Sequence, residues 1–379
     1  MTTEAEFLTL LCDNPYTVQS EDHKIHSVEM AGKGIGTLQS QMVAEYFAVS
    51  SGGLTTNSHN LTITYSINFN NFTEDSVKIR LNNSLIRLTT MIRQAPYNDN
   101  VNFDGDRISF DAGTSTFQIE TEVGGINSYN PATNTQKYRF YNVNFTKNTG
   151  MGRTFSVNTD FFFNKLFFAG DGELWNVNEM DSLIFSAGKT YSISATNLQT
   201  VYKYFEMVGN NCQSIRLQSL TSGVKATVRM NSGIIASDFV QMSDQKTDGT
   251  VQFFAGAHST NIGTTNTGWR FENPFNLKDV GFLGRDTVFC NATSLELKAF
   301  TSGIATYKWS TNATTPSIYI NTPGEYRAEV TFANNCVIRD TVLIQQVPLV
   351  YNIMDFIMHE MIDRKTLIIL LKIALNNMF

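Results

Sequence analysis

Asn211–Phe275 reads NCQSIRLQSLTSGVKATVRMNSGIIASDFVQMSDQKTDGTVQFFAGAHSTNIGTTNTGWRFENPF. Short apolar beats follow one another through it: Ile215-x-Leu217, Ala226-x-Val228-x-Met230, Phe239-Val240-x-Met242, Val251-x-Phe253 and Trp269-x-Phe271. Gly, Ser, Asn and Asp fill the gaps. No beat is long enough for an ordinary helix, and the alternation has the period of a strand. Each beat predicts a strand on one side of a coil, with polar corners between. Trp269 and Phe271 are expected to seal the last coils.

The same beat runs upstream. Val28-x-Met30 leads into Gly32-x-Gly34, and Phe47-x-Val49 into Gly52-Gly53-Leu54. Val77-x-Ile79-x-Leu81, Ile108-x-Phe110 and Phe117-x-Ile119 follow. One phrase repeats: Phe140-Tyr141-Asn142-Val143-Asn144-Phe145, then Phe162 to Phe168, then Met180 to Phe185. Val143, Leu166 and Leu183 are 23 and 17 residues apart. The spacing continues from Leu183 to Leu217, twice 17, and from Leu217 to Val240, 23. A loose period near twenty marks a solenoid, in which stacked coils bury inward side chains that no single coil can bury alone.

Composition agrees. Charged residues are 16% of the 379, Phe numbers 28 and Pro only 7, a mix for many short strands and tight turns. The net charge of -6 is spread without blocks, and no Lys/Arg run forms a nucleic-acid footprint, so nucleic-acid partners are not expected. No run of 18 apolar residues exists, so no transmembrane span is expected. The N-terminal MTTEAEFLTLLCDNPYTV is acidic with a short apolar run and does not read as a signal peptide.

Beyond Asn276–Gly284 the pattern changes. Seven or so short alternating strands between 284 and 346 predict a small antiparallel sandwich. Trp309 lies between Cys290 and Cys336, with the indole as core filler. A Cys290–Cys336 disulfide between the first and last strands is the expected pairing, against two reduced buried thiols. The other cysteines are Cys12 and Cys212, and no Cys-x-x-Cys spacing suggests zinc or redox chemistry. After Pro348 the chain reads as one amphipathic helix, foreign to what precedes it and suggestive of a frame-altered or truncated end.

The fold expected is therefore all-β: 1–23 an N-terminal cap or partial coil, 24–278 a right-handed parallel β-helix, 284–346 a β-sandwich, and 348–379 a short helical tail.

Ser182 to Phe271 resembles the C-terminal coils of right-handed β-helix regions in large secreted surface proteins of Bacteroidota-type bacteria. The matching residues include Phe185-x-Ala187-Gly188-Lys189-Thr190-Tyr191, Gly223-x-x-Ala226-Thr227-Val228 and Asn266-Thr267-Gly268-Trp269-x-Phe271. Residues 284–346 are similar to the PKD-like or Ig-like domain that follows such regions. They match through Asp286-Thr287-x-x-Cys290, Tyr307-x-Trp309-Ser310, Pro323-Gly324-x-Tyr326, Asn335-Cys336 and Asp340-Thr341-Val342. Asn312 stands where that family usually has Gly; both tolerate the same turn. The resemblance implies type IX secretion, gliding or adhesion, and a secreted or outer-membrane-associated place for the full-length protein, of which this chain reads as a fragment. It carries over no catalytic residue.

Function is then expected to be non-enzymatic: a structural or adhesive column with an Ig-like spacer. Surface glycans or other cell-surface proteins are the expected partners, and no cofactor or metal is expected. The alternative is a β-helix polysaccharide lyase or glycoside hydrolase, which needs clustered carboxylates. Asp104, Asp106 and Asp111, beside Arg107, are the acidic-cluster candidates, against a solvated turn. Asp238, Asp244 and Asp248 form a second. His23, His26 and Glu29 are weighed as a metal site against a plain strand surface. His258 lacks a Ser-His-Asp context and reads as a corner residue. Phe161–Phe163 with Phe167 and Phe168 reads as core rings rather than an exposed sugar platform.

Overall fold

The computed structural model describes residues 7–346 apart from 21–23, 72–75, 90–100, 106, 130–135, 158, 273–280, 290–293, 300–304 and 334. Strand makes up 62% and helix 1%, so the chain is nearly all-β. It forms two compact units. The first is Met1–Lys278 with Phe332–Ile338, and the second takes in the remaining strands up to 346.

The first unit is a 21-stranded sheet with a five-stranded companion, plus a two-stranded pair near its end. The companion contains Tyr16–Val18, Ile35–Leu38, Gly52–Thr55, Val77–Arg80 and Ile108–Asp111. Strands pair in parallel with strands roughly one phrase further along: Lys24 with Val43, Met42 with Leu61, Val143 with Leu166, Leu166 with Leu183. A parallel pair needs a long return connection, and here the intervening chain supplies it with further strands. Phe7–Leu10, before the expected first coil, already pairs with Lys24–Met30.

The repeated phrase thus gives the register correctly from Val143 to Leu183. Beyond that the spacing argument is corrected. Leu183 pairs with Phe205, not Leu217, after a shift in register between Met180 and Ser182. Leu217 pairs with Met242, and Val240 with Ile215.

Alternation sets the core. Ile215, Leu217, Ala226, Val228, Met230, Val240, Met242 and Phe253 are all buried, as the beats require. They belong to one apolar cluster extending from Val28 to Trp269. Trp269 sits edge-on to Phe253 at 5.1 Å, and Phe271 packs against the cluster. The middle of the cluster is aromatic. Phe140 lies 5.8 Å from Phe103, 5.0 Å from Phe110, 5.3 Å from Phe117 and 5.4 Å from Phe163. Stacked strands bring rings into such contacts because the repeat sets the spacing. Polar rungs stack too: the Asn102 amide donates to Asn68 at 2.8 Å, and Asn127 donates to Asn102 at 3.4 Å.

Neighbouring segments come close at a glycine. Gly52 has φ +64, and an added Cβ would lie 2.2 Å from the Gly34 carbonyl oxygen and 2.3 Å from that of Gly32. Gly52→Ala therefore adds a backbone collision to an already unfavourable dihedral. A loss of at least about 1–3 kcal/mol is expected, read as a lowered urea midpoint. An unchanged midpoint would show that these segments sit further apart.

The second unit holds a sheet built from Thr287–Phe289, Ala305–Trp309 and most of Gly324–Phe332 and Val337–Gln346, and an antiparallel pair Leu295–Lys298 with Ser317–Ile320. Trp309 is buried with Leu297, Val330, Val342 and Ile344, and its indole N–H donates to the Thr315 carbonyl at 2.8 Å. Asn312 has φ +65, the left-handed turn for which Asn and Gly are interchangeable.

The expected Cys290–Cys336 disulfide is overturned. Cys336 is bonded to Cys212, 124 residues away, with the two Cα atoms 5.9 Å apart. A sulfur takes one such partner, and Cys336 lies in a segment, Phe332–Ile338, that belongs with the first unit. Cys290 falls outside the described residues, as does the tail 348–379, and Cys12 is a free thiol.

Candidate functional site

The acidic candidates separate on folding. Asp104 ends Val101–Asp104 in the large sheet, and Asp111 ends Ile108–Asp111 in the five-stranded one. Asp106 lies outside the described residues. Burial pushes the Asp104 carboxyl above its usual range. Asp111 instead accepts the Gly113 backbone N–H at 2.9 Å, capping its own turn.

Asp238, Asp244 and Asp248 are also committed one by one. Asp238 accepts the backbone N–H groups of Phe239 and His258, and bonds His258 Nδ1 at 2.8 Å. Asp244 accepts the Gly223 N–H at 2.9 Å. Asp248 is gripped by Arg229 at 2.7 and 2.5 Å, and that hydrogen-bonded guanidinium holds its carboxyl below the usual range. His258 lies flat on Phe239, centroids 4.5 Å apart, while the Ser259 hydroxyl donates to the Ala255 carbonyl. The corner holds an Asp–His pair, and its serine is spent on backbone.

His26 bonds Glu45 at 2.7 Å, and Glu29 accepts the Ser50 hydroxyl at 2.5 Å, so the two do not share a ligand position; His23 lies outside the described residues. Among the described residues no group of three or more His, Cys, Asp or Glu is placed to hold a metal ion.

Among the described residues there is also a groove of about 410 Å³ lined by Phe110, Asp111, Ala112, Gly113, Arg139, Phe140, Tyr141, Phe162 and Asn164. Its floor comes from the last strand of the five-stranded sheet and its wall from Gln136–Phe145 and Thr159–Phe168. Alternation explains the lining. Phe140, Phe161, Phe163 and Phe168 point into the core, so of the rings read from sequence as core, Phe161, Phe163 and Phe168 are core, while Phe162 and Phe167 are only half-buried on the other face. Arg139, Tyr141, Phe162 and Asn164 take the opposite face. Arg139 and Phe162 are register partners, and the guanidinium carbon lies 4.7 Å over the Phe162 ring centroid. Tyr141 is 38% exposed. Asn164 donates to Asn142 at 3.3 Å.

The same outward face continues along neighbouring strands. Phe162 and Tyr202 have centroids 6.3 Å apart. Lys137 bonds Glu179 at 2.5 Å, the Tyr202 hydroxyl donates to Glu179 at 2.8 Å, and Lys203 bonds Asp181 at 2.7 Å. Burial raises the Glu179 carboxyl, but its bonds to Lys137 and Tyr202 prevail and hold it below the usual range. Asp160 moves the other way: burial lifts its carboxyl, Lys137 opposes this and the Glu179 charge adds to it.

Open aromatic rings beside fork-shaped donors and carboxylates suit a polyhydroxylated ligand. Ring faces take its C–H surfaces, and the polar groups take its hydroxyls. The sequence reading missed Arg139 and Tyr141. The available signal was the residue preceding the repeated phrase: Arg139 stands opposite Phe162 once the two copies are aligned.

Comparison with protein-family models, with curated proteins and with solved structures finds no match to this chain.

Proposed function

We propose that this protein is a non-enzymatic structural and adhesive component of a cell surface: a right-handed parallel β-helix followed by an Ig-like or PKD-like sandwich, presenting a glycan-binding face. One observation carries the reading. An outward strip of Arg139, Tyr141, Phe162 and Tyr202 crosses strands whose inward residues are mostly apolar. A stacked-strand scaffold supplies the long regular face that an extended glycan needs. The resemblance to Bacteroidota-type surface proteins with type IX secretion supports the same placement. So does the Cys212–Cys336 disulfide, which suits an oxidising compartment. Among the described residues no helix is long and apolar enough to cross a membrane.

The second reading, a β-helix lyase or glycoside hydrolase, is favoured by Asp160 and Glu179. Their carboxyls are displaced in opposite directions around a shared Lys137, as an acid and a base would be. One experiment separates the two. The full chain is applied to a glycan array, and every glycan retained is then incubated with it and sized. Retention without shortening is expected. Shortened products that vanish in Glu179→Gln would establish the enzyme instead, and no retention of any glycan would reject adhesion through sugars.

A further inference from the structure

The groove has an imbalance between donors and acceptors that narrows its ligand. Arg139 is exposed and makes no salt bridge among the described residues, although Lys137, Lys203 and Arg229 all do. Its guanidinium is instead held against Phe162. A guanidinium on an aromatic ring keeps its five N–H groups in its own plane and available to a planar acceptor. The stacking also limits the rotamers that binding would otherwise have to freeze.

The acceptors nearby are partly used. Asp111 already takes the Gly113 N–H, and Glu179 takes Lys137 and Tyr202, while the Arg139 charge also acts on Glu179 without a direct bond. Tyr141, two residues from Arg139 on the same strand face, stands roughly 7 Å further along, near the breadth of one pyranose, and it is exposed.

We propose that this groove binds a carboxylate-bearing sugar residue of an acidic glycan. The carboxylate receives two parallel N–H bonds from Arg139, the pyranose lies against Tyr141, and Asp111 accepts from a ring hydroxyl. This rests on the glycan-binding reading above and goes beyond it in naming the charged class. The carboxylate has two common sources, a hexuronate within a polymer or a terminal nonulosonate such as sialate. The chemistry presented to Arg139 is the same in both.

The test is calorimetry on the full chain with four probes: trigalacturonate against galactotriose, and 3′-sialyllactose against lactose. At least one acidic probe should bind more tightly than its neutral counterpart, and which pair responds identifies the source. Arg139→Gln should weaken that binding roughly 10- to 100-fold, the range for losing charge-assisted bonds. Arg327→Gln, an exposed arginine of the second unit, should leave it unchanged. Circular dichroism of the Arg139 variant should match the parent, since the side chain is on the surface.

Equal binding of acid and neutral probes, binding of neutral probes alone, or an Arg139→Gln variant with parental affinity would each overturn the proposal while leaving glycan adhesion intact. Absence of binding to all four probes would overturn the proposal, and an empty glycan array besides would overturn glycan adhesion as well.

Discussion

Replacing Phe140 with alanine is expected to remove about 3–5 kcal/mol of stability, the usual cost of deleting a buried ring. The ring is 3% exposed and touches Phe103, Phe110, Phe117, Phe161 and Phe163, on strands before and after its own. Removing it opens a hole bounded by several strands at once, and close packing leaves those neighbours little room to collapse. Phe162→Ala is the matched control. Its ring lies on the outer face, against Arg139 and Tyr202, and should cost under about 1 kcal/mol. Guanidinium chloride unfolding followed by circular dichroism measures both. Stacked-strand units can unfold in stages, so a second transition in Phe140→Ala would locate the weakened coils. Comparable losses in the two variants would mean that the outer and inner faces are assigned wrongly.

Losing the disulfide should be as costly. Cys212 and Cys336 close a loop of 124 residues. On the chain-entropy account, freeing a loop of that length gives the unfolded ensemble about 5 kcal/mol. Cys212→Ser and Cys336→Ser should therefore be destabilised by similar amounts, and the double variant by little more than either. Cys12→Ser, which removes a free thiol, should stay near the parent. Peptide mapping without reduction gives an independent check: a cross-linked fragment carrying Cys212 and Cys336 is expected. A fragment joining Cys290 to Cys336 would restore the pairing expected from sequence.

How much could be read from the chain depended on which side of a strand a residue occupies. Inward positions are constrained by their neighbours above and below, so Val143, Leu166 and Leu183 appear as a repeated phrase and prove to be direct partners. The phrase fails after Leu183 because the register shifts after Met180, and the next rung, around Phe205, no longer looks like its predecessor. Leu217 belongs to another line of strands, through Tyr191 and Met242. Outward positions need only tolerate water, so Arg139 and Tyr141 follow no residue pattern of their own, and Arg139 stands out only once the two copies are aligned and set it opposite Phe162. The acids read together as Asp104 and Asp111 are near in sequence but fall in different sheets. The disulfide could not be read at all: four cysteines allow several pairings, and chain separation does not choose among them.

The parallel register also acts as a tolerance for length. Val143 and Leu166 are 23 residues apart and Leu166 and Leu183 only 17, yet all three share one line of pairing and one inward direction. The excess is absorbed in the turn after Phe145 and in the longer return strand Met151–Val157, which pairs with Asp171–Leu174 only over its first four residues. A corner can therefore gain or lose residues without turning any strand over, whereas one residue inserted within a strand would turn the rest of it inside out. Variation in such a chain has a natural outlet. Its loops are free to diversify from rung to rung, and the apolar line beneath them keeps the count.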